Sequence, residues 1–181
     1  MDKPAIILIT CGRFERSITD PILDDIKREF GYPVIINECN QELSNFYNPS
    51  RRQYDANQIL HFVKERSSEN AFKTLGLVNV DIFIPILTYI FGQAHLNGNA
   101  GIVSSYRLKN ELYGLEKNNA LMVERFSKVV IHELGHLFGL IHCQNPVCIM
   151  RSSTYVEDID QKENKFCINC QSELNKNINQ D

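Results

Sequence analysis

His132-Glu133-Leu134-Gly135-His136-Leu137-Phe138-Gly139-Leu140-Ile141-His142-Cys143 carries three of the chain's five histidines in a spacing that a helix followed by a sharp turn can bring together. His132 and His136 are four residues apart on a predicted helix, so both imidazoles leave one face, one turn apart. Glu133 stands beside the first of them, within reach of a water bound to a metal there. Gly139 permits a tight reversal, left-handed if required, and that reversal can return His142 to the same point. Three neutral nitrogens with one open position describe a catalytic zinc site, at which the pKa of bound water falls towards about 7. A bare H-E-x-x-H arises by accident. The longer pattern fixes five residues, three of them histidine, and at average usage arises in a chain of this size on the order of once in a hundred thousand.

Upstream, Leu121, Met122, Phe126, Val129, Val130, Leu134 and Leu137 recur at helical spacing, which predicts a long helix from about Asn118 to Gly139. Before it, strand-like and helix-like segments alternate. Ala5–Ile9 is an apolar run suited to a buried strand. Thr19 or Asp20 can cap a helix with Pro21 at its first position and Gly31 as its stop. Val34–Ile36 reads as a second strand, Tyr54–Arg66 as a second helix and Leu75–Val80 as a third strand. Thr88–Ala94 and Gly101–Tyr106 flank Asn97-Gly98, a hairpin dipeptide, and predict an antiparallel pair. From Leu140 onward periodicity is weak; a short helix after Cys170 and a frayed Asn/Gln/Lys-rich end from Asn175 are expected. No repeat, low-complexity tract or linker divides the chain, so one domain over 1–181 is expected, with 1–139 as sheet and helices and 140–181 organised by metal.

The chain has 181 residues, 43% of them hydrophobic, enough for a core that needs no disulfides. Nineteen basic against 22 acidic residues give a net charge of −3, unfavourable for binding nucleic acid. No apolar run is long enough to span a membrane, and Ala5–Ile9 is too short for a secretory core. A cytoplasmic location is therefore expected, where thiols stay reduced and cysteines are more often metal ligands. Cys143, Cys148, Cys167 and Cys170 match a closed, four-thiolate structural zinc site. Such a site contributes roughly 10–16 kcal/mol of apparent binding energy in small domains, comparable with the whole stability of a typical domain, about 5–15 kcal/mol. By contrast, His61, His95, Cys11 and Cys39 lack ligand spacing, and Arg13, Arg16, Arg51 and Arg52 read as solvated.

His132 to His142 followed at once by Cys143, then Cys148-Ile149-Met150 and Cys167-x-x-Cys170, resembles the archaemetzincins, a family of the metzincin clan. The resemblance covers Val130 to about Gln171; Phe91-Gly92-Gln93-Ala94 and Ser104 to Leu108 resemble the family more weakly. It implies an α/β fold: a single compact metzincin-like domain with a mixed twisted sheet, an antiparallel edge strand, a long active-site helix and a zinc-stapled C-terminal segment. It also implies two zinc ions: a catalytic one on His132, His136 and His142, with Glu133 as general base and Met150 as the Met-turn, and a structural one on the four cysteines. A peptide or protein substrate is expected, lying along a sheet edge for which Thr88–Ala94 is the candidate. Neither nucleic acid nor membrane is expected as a partner, and a monomer is favoured. Some metzincins carry a tyrosine two residues after the Met-turn methionine; Ser152 occupies that place here, so that role does not transfer, and Tyr155 does not have the spacing for it. The competing function is a catalytically weak or inactive zinc protein that binds peptides or partners. Glu133 argues against it, because retaining zinc requires no such carboxylate.

Overall fold

The computed structural model describes residues 4–67 and 71–179. In chain order its elements are β1 (Ala5–Cys11), α1 (Arg16–Phe30), β2 (Val34–Cys39), β3 (Tyr47–Asn48), β4 (Gln53–Asp55), α2 (Ala56–Glu65), β5 (Ala71–Val78), β6 (Ile82–Phe83), β7 (Gly92–Ala94), β8 (Ala100–Ser104), α3 (Asn119–Leu137), α4 (Val156–Asp160) and α5 (Ile168–Ile178). Strands order as β2-β1-β5-β8-β7, the first four parallel and β7 antiparallel at the edge. The mixed sheet with an antiparallel edge is thus present. A small β3-β4-β6 sheet beside it was not anticipated.

Because side chains alternate along a strand, Ile6 and Leu8 of β1 join α1 and α3 in one core, while Ile7 and Ile9 join α2 in the other. Helices on both faces explain why β1 reads as an unbroken apolar run. Met150, Phe166 and Leu174 complete the α3 side, so the C-terminal segment is built into the core rather than appended to it.

Four local expectations are corrected. Helix α1 begins at Arg16 instead of beside Pro21, which lies inside it. The proline withholds only the hydrogen bond to the Ser17 carbonyl, and the additional turn buries Thr19 and packs Ile18 on the core. Of Thr88–Ala94 only Gly92–Ala94 is strand. The carbonyls of Leu87 and Thr88 are taken by side chains: Arg51 Nη2 donates to both, at 2.6 and 3.3 Å, and Gln53 Nε2 donates to Thr88 at 2.9 Å. Arg51 is therefore a tie across the fold, not a solvated charge. Finally, α5 starts before Cys170 and runs through Asn175 to Ile178, because Leu174 is fully buried and Asn177 Nδ2 donates to the Phe138 carbonyl at 2.8 Å. Residues 180 and 181 of the expected frayed end lie outside the described residues.

Helix α4 is held to α3 by Arg125, buried to within 4% of its surface. Its guanidinium donates twice to Asp160, at 2.7 and 2.6 Å, and also to Leu108 O at 2.9 Å and Asn110 Oδ1 at 2.8 Å. Arg125→Ala would strand all these acceptors. The expected loss is about 3–5 kcal/mol, read from denaturant unfolding of the zinc-loaded protein; a loss below about 1 kcal/mol would mean that water replaces the guanidinium.

Candidate active site

The second half of α3 carries His132, Glu133 and His136 in one continuous helix, as their spacing predicts. Asn118 starts the helix by accepting from Leu121 N at 3.0 Å. Gly139, at φ +85°, ends it with a reversal in which Leu140 N donates to Gly135 O at 2.9 Å. The reversal returns His142, and the three imidazoles gather with ring centroids 4.7 to 5.3 Å apart.

The protonation pattern follows from the carbonyls around them. His132 Nδ1–H donates to Ile149 O at 2.8 Å, and His136 Nδ1–H donates to Leu140 O at 2.7 Å. With the proton on Nδ1, each ring turns a bare lone pair outward from Nε2. The two Nε2 atoms lie 3.1 Å apart. Two facing lone pairs repel unless a cation sits between them, and Zn–N bonds of about 2.0–2.1 Å place tetrahedral ligands about 3.3 Å apart. The donor set therefore fits zinc. Burial keeps all three histidines neutral by lowering their pKa values, His132 well below its usual range.

The four cysteines also converge, their sulfurs all within 4.8 Å of one another. Cys143 Sγ and Cys167 Sγ are 3.8 Å apart, the edge expected of a tetrahedron with Zn–S bonds of about 2.3 Å. Asn145 N donates to Cys143 Sγ and Cys167 N donates to Cys148 Sγ, each at 3.4 Å. Burial opposes ionisation of the Cys167 thiol, but hydrogen bonds from the Cys170 amide and the neighbouring thiols bring its pKa down to about 7.

The loop from Cys148 to Arg151 joins the two clusters. Cys143 N donates to Met150 O at 3.0 Å, and Met150 is fully buried beneath α3. Glycine at position 135 gives room for this contact, since a Cβ there would meet Met150 Sδ at 2.5 Å and the buried methionine would have to shift. On the opposite side of α3, β7 crosses Glu133: a Cβ at residue 92 would come within 2.7 Å of Glu133 Cγ and 2.9 Å of Ile102 O. A cleft of about 500 Å³ opens beside the three histidines, between β7 with the preceding Leu87–Phe91, α3 and the Ser152–Tyr155 loop. Ser152 and Tyr155 both line it, and Tyr155 is 62% exposed. Tyr89 bridges two walls by donating to Thr154 O at 3.1 Å.

Sequence reasoning missed Lys162, which lines the same cleft. It donates to Arg151 O and, at 3.4 Å, to Ile149 O. Burial pushes Glu133 up to about 8 and Lys162 down to about 8, each partly offset by the charge of the other. A lone lysine twelve residues beyond Met150 carries no motif; no sequence signal marks it. The residues set aside stay apart: His61 pairs with Glu65 on the surface at 3.3 Å, His95 is exposed, and Cys11 and Cys39 adjoin across β1 and β2.

The model of peptidase family M54 matches residues 2–176. An archaemetzincin of Pyrococcus horikoshii is 42% identical over 142 residues, 75% of this chain and 74% of that protein. The crystal structure of archaemetzincin from Methanopyrus kandleri superposes with a TM-score of 0.86 at 30% identity, covering 98% of this chain and 96% of that one. A zinc-dependent peptidase from Methanocorpusculum labreanum superposes at 0.82 with 28% identity, covering 93% and 99%.

Gly135→Ala is expected to overpack the contact with Met150, costing about 1–3 kcal/mol, and to loosen metal retention by the histidines. Denaturant midpoints and zinc loss to a chelator measure the two effects. Wild-type values for both would show that Met150 yields without consequence.

Proposed function

The chain belongs to peptidase family M54, the archaemetzincins, and on that premise we propose that His132, His136 and His142 hold its catalytic zinc with Glu133 as general base. It is a zinc-dependent metallopeptidase whose substrates are peptides. The observation that carries the assignment of residues is the pair of Nε2 lone pairs 3.1 Å apart, oriented by carbonyls and set beside a buried carboxylate at the head of a cleft.

When bound, zinc supplies Lewis acidity and a nucleophilic water at neutral pH. The chain's own groups do the rest. The Glu133 carboxylate takes a proton from the attacking water and returns it to the leaving amine. Main-chain groups of β7 hold the peptide. Phe91 O accepts from Ser104 N and His95 N donates to Ala100 O, so residues 91, 93 and 95 turn towards β8. By alternation, the N–H and C=O groups of Gly92 and Ala94 point away from the sheet, free to pair with a substrate strand. No nucleophilic side chain is needed, and no covalent intermediate forms.

In the same reading, Cys143, Cys148, Cys167 and Cys170 hold a second, structural zinc, and residues 1–181 act as one domain whose part from 140 onward that metal shapes. We read the protein as a cytoplasmic monomer with no nucleic-acid role; among the described residues no helix is long and apolar enough to cross a membrane.

Glu133→Gln should retain both metals and lose at least about 100-fold in turnover of a mixed peptide library. Equal background cleavage by both proteins would favour a binding protein instead. Cys148→Ala should lose the structural zinc and also weaken the catalytic site by about 10–100-fold, because Ile149 O, which orients His132, follows Cys148 directly. Zinc titration checks this; unaltered affinity at the histidines would separate the two sites.

A further inference from the structure

Lys162 is 6% exposed, and the lining of the cleft holds two lysines, Lys162 and Lys128, and a single carboxylate residue, Glu133. The two lysines are not equivalent. Lys128 Nζ already pairs with Glu124 Oε1 at 2.7 Å. Among the described residues, Lys162 makes no ion pair; two main-chain carbonyls, Ile149 O and Arg151 O, take two of its three N–H donors. Burial opposes its charge, and Glu133, Asp158 and Cys148 favour it only from beyond ion-pair distance, so the buried cation is incompletely compensated. Two residues beyond Arg151, Ser153 also lines the cleft, and among the described residues its buried Oγ has no hydrogen-bond partner. An ammonium and a hydroxyl, both with donors to spare, form the complement of a carboxylate.

We infer that this end of the cleft takes a carboxylate of the substrate peptide, with Lys162 and Ser153 as the residues that select it. The inference rests on the peptidase reading above and specifies its substrate class: peptides bearing Asp or Glu beside the scissile bond, or ending there in a free C-terminus. Burial opposes the charge of Lys162, and a bound carboxylate would favour it. It is a specificity residue, distinct from the Glu133 proton shuttle. The Met-turn carbonyls it also holds explain why its substitution must be read as a ratio between substrates.

The test compares three peptides of otherwise identical sequence: one with Glu beside the cut and an amidated end, one with Gln and an amidated end, and one with Gln and a free carboxylate immediately after that residue. Zinc-loaded wild type should prefer a carboxylate-bearing peptide over the amidated Gln peptide by at least about tenfold in kcat/KM, and which one it prefers tells side chain from terminus. Lys162→Met should abolish the preference, and Ser153→Ala, which leaves the Met-turn contacts in place, should reduce it several-fold. Calorimetric binding of the same peptides to Glu133→Gln provides an arm that needs no turnover. Cleavage without any carboxylate preference overturns the inference and leaves the peptidase reading intact. Equal loss of all three peptides in Lys162→Met, with the preference unchanged, also overturns it. If no peptide is cleaved, the peptidase reading fails, and the calorimetric arm decides the inference alone: no difference between Glu and Gln peptides, or no binding, ends it.

Discussion

The hydrogen bond from His132 Nδ1–H to the Ile149 carbonyl, 2.8 Å long, is the constraint on which the site depends. It sets the tautomer that frees Nε2, and it makes the helix and the following loop one object. The loop is itself held on every side. Cys148 anchors one end in the sulfur cluster, Met150 lies beneath Gly135, Ile149 N donates to Lys165 O at 3.1 Å, and Lys162 reaches back to Ile149 O at 3.4 Å. A ligand that must point within tenths of an ångström is thus supported by structure drawn from residues well beyond it.

Electrostatics gives this arrangement its purpose. Glu133 and Lys162 are both buried and do not touch, so desolvation works against the charge of each. Lys162 favours ionised Glu133, and in the proposed reading a divalent cation on the three histidines would favour it further. Desolvation also lowers the pKa values of the three histidines, which suits neutral imidazoles to the proposed ligand set.

The sheet edge supplies the remaining requirement. An exposed edge invites unwanted pairing, and short edge strands limit that risk. Here β7 is three residues long, and the carbonyls just before it are taken by Arg51 and Gln53. What stays open is the stretch across Glu133, where Gly92 allows main chain to approach the carboxylate. A peptide added to this edge is brought to the base by the geometry of the strand.

Residues whose roles depend on near neighbours were legible in the sequence. The spacing of His132, His136 and His142 follows from helical period and one glycine turn, and the two cysteine pairs follow from the tetrahedral demand of a metal. The buried strands follow from unbroken apolar runs. Tertiary structure alone decided what depends on distant partners: Lys162 entering the cleft, Arg125 fastening α4, Arg51 taking carbonyls ahead of β7, and α5 persisting because Asn177 meets the end of α3. The division has one physical cause. Local periodicity places a side chain on a face, but the charge it meets, or the carbonyl it satisfies, belongs to chain far away in sequence and comes into reach only when the core closes.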